Sequence, residues 1–238
     1  MRIIVITDVH ANLPALQAAL ADIQKSGYDV IVHTGDAVGI GPYPAECMEV
    51  LMSTPNVRFV MGNHESYFVN GLPNPLPPNT SDAEVEHVLW THARLGPAFR
   101  DTMVEWAYRL EIEAGGVKCA FMHYALDSSG RGFARIIRKP TAADLDSLHA
   151  STDASIVFYG HDHSPSDVQG ARRYIDPGAL GCSKNALARY CSVETSPEGL
   201  VVECHAVIYD TAKLFRAFEE RKVPDRDSIQ RLRFGRDI

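Results

Sequence analysis

The chain has 238 residues, 45% apolar and 22% charged, with a formal net charge of −7. That length suffices for one substantial core, at most two, and the acidic balance disfavours a non-specific nucleic-acid binder, which would be basic. Five cysteines (Cys47, Cys119, Cys182, Cys191, Cys204) without a C-x-x-C pair argue against a disulfide framework or a zinc–thiolate cluster and favour a reducing, cytoplasmic setting. No apolar run reaches the ~18 residues of a membrane span, and Met1-Arg2 leads into a strand without a signal-type segment.

Arg2 to Thr7 reads as a buried strand, and Asp8-Val9-His10 follows it. Asn12 is placed to cap a helix with Pro14 in its first turn, apolar residues at 13, 16, 19, 20 and 23, and Gly27 at its end. The β-branched run Val30–Val32 is the next strand, so the first unit is β-α-β and its strands are expected to pair in parallel. Gly35-Asp36 follows that strand, and glycines at 39 and 41 permit a tight loop. Pro42 to Met52 is predicted as a helix, and Val57 to Met61 as a strand ending in Gly62-Asn63-His64-Glu65.

Residues 71 to 80 hold four prolines and exclude regular structure. Ser81 with Glu84 forms a capping box for a helix that presents Val85, Val88, Leu89 and His92 on one face. Phe99 to Leu110 is predicted as a further helix with Met103, Trp106, Ala107 and Leu110 inward. The whole chain is expected to be one domain, 1–238, with residues 66–116 a helical insert or cap beside the polar cluster.

A strand is predicted at Lys118–Met122, ending in His123, and a short helix at Thr141–Leu148 with Thr141 and Asp144 as its cap. Ile156 to Tyr159 is another strand, ending in Gly160-His161-Asp162-His163. Short alternating segments at 173–175, 188–194 and 199–207, joined by turns at 176–178 and 197–199, point to an antiparallel finish. Asp210 caps a last predicted helix carrying Leu214, Phe215 and Phe218.

Five strands thus deliver Asp8 and His10, Asp36, Asn63 and His64, His123, and His161 and His163 at their carboxyl ends, where α/β sheets bind ligands. Carboxylate, amide and imidazole donors suit Mn, Fe, Zn or Ni, with Mn or Fe favoured, and such a donor set exceeds the needs of one tetrahedral ion. Two divalent ions about 3.5–4 Å apart can clamp both oxygens of a phosphoryl displacement.

These motifs, in this order over residues 8–163, resemble the full set of the calcineurin-like metallophosphoesterases. The stretch Asp176-Pro177-Gly178-Ala179-Leu180-Gly181 is similar to the turn that this family carries after its last ligand pair. The resemblance implies an α/β fold, a β-sandwich of two mixed sheets flanked by helices. It implies one metal on Asp8, His10 and His163, a second on Asn63, His123 and His161, and Asp36 as bridge. It implies that His64 is not a ligand but faces the scissile phosphate and protonates the leaving oxygen, while a metal-bound hydroxide attacks phosphorus. The chain departs from the protein phosphatases and symmetrical dinucleotide hydrolases, which follow Gly-Asp with a run supplying a phosphate-binding arginine. Here the continuation is Ala37-Val38-Gly39-Ile40, without it. Tyr124 after His123 implies a bulkier pocket wall, and Asp162 adds an acidic group between two ligands.

The expected activity is therefore hydrolysis of phosphodiester or phosphoanhydride bonds in small, nucleotide-type substrates. A non-catalytic scaffold, a phosphomonoesterase and a nuclease are the alternatives. Arg131, Arg135 and Arg138, in the one dense basic run, are candidate phosphate contacts, weighed against a solvated loop. Phe68, Trp90 and Trp106 are candidates to meet a nucleoside. His33, His87, His92, His149 and His205 read as surface or structural histidines, although His33 shares the turn of Asp36. Oligomeric state is open on sequence alone.

Overall fold

Alternation along the first strand decides the layering. In β1 (Arg2–Ile6) every residue from Ile3 to Ile6 is buried, which requires cover on both faces. Ile4 and Ile6 turn outward to α1 (Leu13–Ser26), which answers with Leu16, Ala19, Leu20 and Ile23. Ile3 and Val5 turn inward to a second sheet. The helix begins where expected: Asn12 Oδ1 accepts from Ala15 N at 3.2 Å, and Gly27 ends it. Truncating a fully buried side chain such as Leu16 to Ala is expected to cost about 2–5 kcal/mol.

The chain continues through β2 (Val30–His33), α2 (Pro44–Ser53), β3 (Val57–Phe59), α3 (Asn63–Asn70), α4 (Asp82–His92), α5 (Pro97–Met103), β4 (Arg109–Ala114) and β5 (Val117–Met122). It then forms α6 (Ala142–Leu148), β6 (Ile156–Phe158), β7 (Ser166–Gln169), β8 (Arg173–Asp176), β9 (Leu187–Ser196), β10 (Gly199–Ile208), α7 (Thr211–Glu220) and α8 (Arg226–Phe234). The computed structural model describes residues 1–77, 80–197 and 199–236, so Pro78 of the proline stretch and Glu198 of the 197–199 turn lie outside the described residues.

Among the described residues there are two five-stranded sheets, ordered β10-β9-β1-β2-β3 and β4-β5-β6-β8-β7. Both are mixed. β1, β2 and β3 pair in parallel, as do β5, β6 and β8, while the remaining pairings are antiparallel. The sheets face each other across Ile3, Val5, Val32, Phe121, Phe158 and Ile175, with Phe121 and Phe158 stacked at 5.1 Å between ring centroids. Outside the second sheet, Leu145 of α6 packs on Val157, Tyr159 and Tyr174. The result is the expected α/β sandwich of two mixed sheets flanked by helices.

Several elements depart from expectation. The helix predicted to Leu110 stops at Met103, and residues 109–114 form strand β4, an antiparallel partner of β5. Trp106, Ala107 and Leu110 have helical spacing, but Leu110, Ile112 and Ala114 alternate, and pairing with β5 wins. On α4 the buried residues are His87 and Thr91, one turn apart, whereas Leu89 is 57% exposed. β8 pairs in parallel with β6 and antiparallel with β7, while the expected antiparallel finish is met by β9, which pairs antiparallel with both β10 and β1. α3, β7 and α8 have no counterpart in the sequence reading.

Candidate metal centre

Because β1, β2, β3, β5 and β6 run in one sense within their sheets, their carboxyl ends share one edge, and the loops beyond them interlock there. His10 N donates to Asp36 O at 2.9 Å, and His123 Nδ1 donates to Thr34 O at 3.1 Å. Gly160 N donates to His123 O at 2.9 Å, and Gly181 N to Asp8 O at 2.9 Å. The 176–181 turn is thereby tied to the end of β1. Gly35 and Gly62 pack backbone to backbone, since a Cβ on either would collide with the other loop.

Asp8, His10, Asp36, His161 and His163 all adopt left-handed backbone conformations, with φ between 47° and 76°. Such conformers cost on the order of 1 kcal/mol or more each, and they cluster where surrounding structure holds a functional group in place. Here they turn His10, Asp36, His161 and His163 into one cleft, with Asp8 buried behind them.

Two groups of donors flank Asp36. On one side His10 Nε2 lies 2.9 Å from His163 Nε2, and both stand 3.3–3.4 Å from Asp8 Oδ1. On the other side His123 Nε2 lies 3.0 Å from Asn63 Oδ1 and 3.2 Å from His161 Nδ1. Asp36 Oδ2 faces both, at 3.2 Å from His123 Nε2 and 3.8 Å from His10 Nε2. The second nitrogens of His10 and His123 are bound to the backbone carbonyls of Val38 and Thr34, which aims Nε2 of each ring into the cleft.

Electrostatics follow from this crowding. Burial opposes ionisation of Asp8 and Asp36, yet His163 and His10 hold Asp8, and His123 and His64 hold Asp36, well below the usual carboxylate range. Burial would push His123 down, but Asp36 pulls it up to about 9, and Asp8 likewise raises His163. Burial lowers His10, and takes His64 and His161 to about 4.

The residues present fit divalent metal ions. Asp8 Oδ1 is buried without a hydrogen-bond partner among the described residues, and the triads His10–Asp36–His64, Asp36–His123–His161 and His10–His163–Cys182 each keep their donor atoms within 4.8 Å. The first triad means that proximity alone does not separate His64 from the ligands. Cys182 was not singled out from the sequence; its only signal was its place next to Gly181 in the family-like turn.

Glu65 is a further residue to which the sequence reading gave no role. It is fully buried, and its Oε2 accepts from Asp36 N at 2.8 Å and Gly62 N at 3.0 Å. Its Oε1 accepts from Ala37 N at 2.8 Å and Val38 N at 3.2 Å. One carboxylate thus clamps the whole Gly-Asp loop. Burial and the charge of Asp36 raise its pKa to about 7, against the pull of those N–H groups. The signal available was its position three residues after Gly62, the third residue of a helix.

The rim departs more from expectation. Of the basic run, Arg138 lines the cleft of about 310 Å³ that contains His10, Asp36, His64 and His163. Arg131 lines a different cavity beside Trp106 and Tyr108, and Arg135 is an exposed surface residue. Trp106 stacks on Phe59 at 4.5 Å, Trp90 lies under the Arg94 guanidinium at 3.5 Å, and Phe68 packs on His92. All three aromatics are packing residues, and Tyr67 lines the cleft instead. Tyr124 is buried, its hydroxyl accepts from Ile137 N at 2.8 Å, and its ring stands 5.4 Å from that of His161, behind the cleft. Asp162 lines the cleft, its pKa raised by burial against the opposing charge of Arg138. His33, His87 and His149 are buried, and His33 Nδ1 accepts from Gly35 N at 3.2 Å, shaping the turn before Asp36.

Two mixed sheets with a cluster of acidic, amide and imidazole donors at their shared edge define a metallophosphoesterase-type protein. The profile of the calcineurin-like phosphoesterase superfamily domain matches residues 1–198, and the chain belongs to that superfamily. It is 27% identical over 241 residues to the uncharacterized protein MJ0912 of Methanocaldococcus jannaschii, covering 94% of each chain. Among solved structures it is similar to a metallophosphoesterase from Sphaerobacter thermophilus, with TM-score 0.74, 28% identity and 98% of each chain covered. The hypothetical protein PH1004 from Pyrococcus horikoshii OT3 shares the fold, with TM-score 0.77 and 20% identity over 100% of this chain and 99% of that one.

Proposed function

We propose that the protein is a phosphoesterase dependent on two divalent metal ions, Mn or Fe being favoured, that hydrolyses phosphodiester or phosphoanhydride bonds in small nucleotide-type substrates. The observation that carries this reading is Asp36 Oδ2, one carboxylate oxygen facing imidazoles of both donor groups. Asp8, His10 and His163 would hold one ion, Asn63, His123 and His161 the other, and Asp36 both. When bound, such ions supply a nucleophile from water at neutral pH and polarise the phosphoryl group.

The chain's own residues do the rest. Asp36 Oδ1 accepts from His64 N at 3.0 Å, so the loop that carries the bridging group also fixes the His64 backbone. The His64 ring, partly exposed, faces the cleft mouth, with Nε2 3.9 Å from Asp36 Oδ2. There it donates its N–H to the departing oxygen. The negative charge of a bound phosphate favours the protonated ring, offsetting the lowering by burial. Arg138 meets non-bridging phosphoryl oxygens from the rim, an arginine placed differently from the one absent after Gly35-Asp36. A scaffold role would tolerate loss of donors, and here every expected position is filled and aimed inward.

The test is metal analysis of the purified protein beside Asp36→Asn. The wild type should carry close to two transition-metal ions per chain and lose activity to a chelator, and the variant should lose most of both. Unchanged metal content and activity in Asp36→Asn would refute the dinuclear reading.

A further inference from the structure

A second cavity, of about 250 Å³, opens directly from the candidate metal cleft. The two share Ile40, His64, Tyr67, Pro77, Thr80, Glu84 and Arg233. Beyond that junction the walls are mostly apolar, with Leu72, Val85 and Val88 from the α3–α4 region and Ile229 and Leu232 from α8, interrupted by His87, Asp225 and Ser228. At ~30 Å³ per water, the space would displace roughly eight waters, the bulk of one or two aromatic rings. Leu232 is 59% exposed although it lies along this groove, an arrangement that leaves apolar surface open to a ligand.

Arg233 stands where the apolar groove meets the polar cleft. No described carboxylate pairs with it, unlike Arg226, which is held by Glu219 at 2.8 Å. Besides Asp36, the acidic side chains that line the cleft with Arg233 are Asp162, which feels the charge of Arg138, and Glu84, which belongs to the α4 cap. Glu84 Oε2 accepts from Ser81 N at 2.8 Å in its capping box, and Asp225 lies at the start of α8 on the groove side. Neighbouring Phe234 is buried against Phe218, with ring centroids 5.7 Å apart, which anchors this turn of α8.

Resting on the phosphoesterase reading above, we propose that the groove between the α3–α4 region and α8 is the substrate's organic subsite. It takes an apolar ester group of one or two rings, such as an aryl group or a nucleobase, while Arg233 and Arg138 contact the attached phosphate from either side. Specificity is then set by the C-terminal helix, outside every motif that resembles the family. The apolar group is recognised by burial and the phosphate by two arginines, which separates this protein from enzymes whose substrates are phosphate with a polar alcohol.

The experiment is calorimetric binding of non-hydrolysable dianions to the manganese-loaded protein: inorganic phosphate, methylphosphonate, phenylphosphonate and 1-naphthylphosphonate. Affinity should rise about tenfold or more from methyl to phenyl and again toward naphthyl, as aromatic area leaves water. The double variant Val85→Gln/Leu232→Gln should shrink the phenyl-to-methyl ratio to below about threefold. Arg233→Ala should weaken every ligand by roughly tenfold, the loss of one charge-assisted contact. A flat wild-type series would overturn the proposal, and so would a graded series that the double variant leaves intact. Failure of the phosphoesterase reading looks different: bis(4-nitrophenyl) phosphate would not be hydrolysed, while the graded binding would still report the apolar subsite.

Discussion

His64 is the residue at which geometry leaves two chemical roles closest together. Its ring is part of a donor triad with His10 and Asp36, yet its Nε2 faces the mouth, and its pKa is lowered by burial to about 4. A ligand and a proton donor differ in what their loss removes. As a proton donor, His64→Ala should retain both ions and lose turnover by about 10²–10⁴. The loss should be smallest for a nitrophenyl ester, whose leaving group needs little protonation. Metal analysis beside kcat for nitrophenyl and alkyl esters decides it: lost metal would make His64 a ligand, and equal losses across leaving groups would count against the proton-donor role. A second residue-scale outcome concerns Arg138 and Arg135. Arg138→Ala should raise KM for a phosphodiester several-fold, and Arg135→Ala should not, because only the former lines the cleft. Steady-state kinetics on the two variants would expose an error if both behaved alike.

At the scale of elements, the Gly-Asp loop between β2 and α2 owes its shape to α3. Glu65 receives four backbone N–H bonds from Asp36, Ala37, Val38 and Gly62, and no other described side chain replaces it. In Glu65→Ala those donors are left buried and unpaired at roughly 1–3 kcal/mol each, less whatever water recovers. The expected result is destabilisation of about 3 kcal/mol or more, with metal content falling too because Asp36 moves. Urea unfolding and metal analysis would show it, and a variant of wild-type stability would contradict the clamp. Elements also show why some of this protein was legible and some not. Asn12, Ser81 and Thr141 were readable as caps because a cap is a local bond, three residues long. The donors were readable because each follows an apolar strand, and parallel strands bring their ends to one edge. β4 was misread because residues 106–110 satisfy a helical spacing while 110–114 satisfy alternation, and only pairing with β5 arbitrates. Leu89 was misplaced because α4 buries a histidine and a threonine, which no apolar count detects. Arg233 and Glu65 act across long separations in sequence, so nothing local marks them. The substrate contacts were least legible, since aromatic residues of the 66–116 stretch that looked available are consumed by packing against Phe59, His87 and His92.

For the whole molecule, the layered fold carries a pH dependence that lies outside the metal cleft. Helix α4 and the residue that caps the end of α6 each bury a histidine, His87 and His149, where an apolar residue would be ordinary. His149 stacks on Tyr174 at 5.5 Å, and burial, reinforced by the charge of Arg172, lowers its pKa to about 4. Burial likewise takes His87 to about 4, with the His64 charge adding to it and the Pro224 carbonyl opposing. Between pH 6.5 and about 4 the unfolded chain binds these protons and the folded one does not. Stability is therefore full above that window and falls as the pH drops through it. At about 1.36 kcal/mol per pKa unit, each histidine contributes at most roughly 3 kcal/mol to the acid limb. His149→Phe keeps a ring against Tyr174 and removes the titration. With chelator present throughout, so that metal release affects both proteins alike, the variant should gain about 2 kcal/mol relative to wild type between pH 7 and pH 4.5. Unfolding free energies from urea titrations at four pH values measure this directly, and parallel curves for the two proteins would show that His149 is protonated equally in the folded and unfolded states.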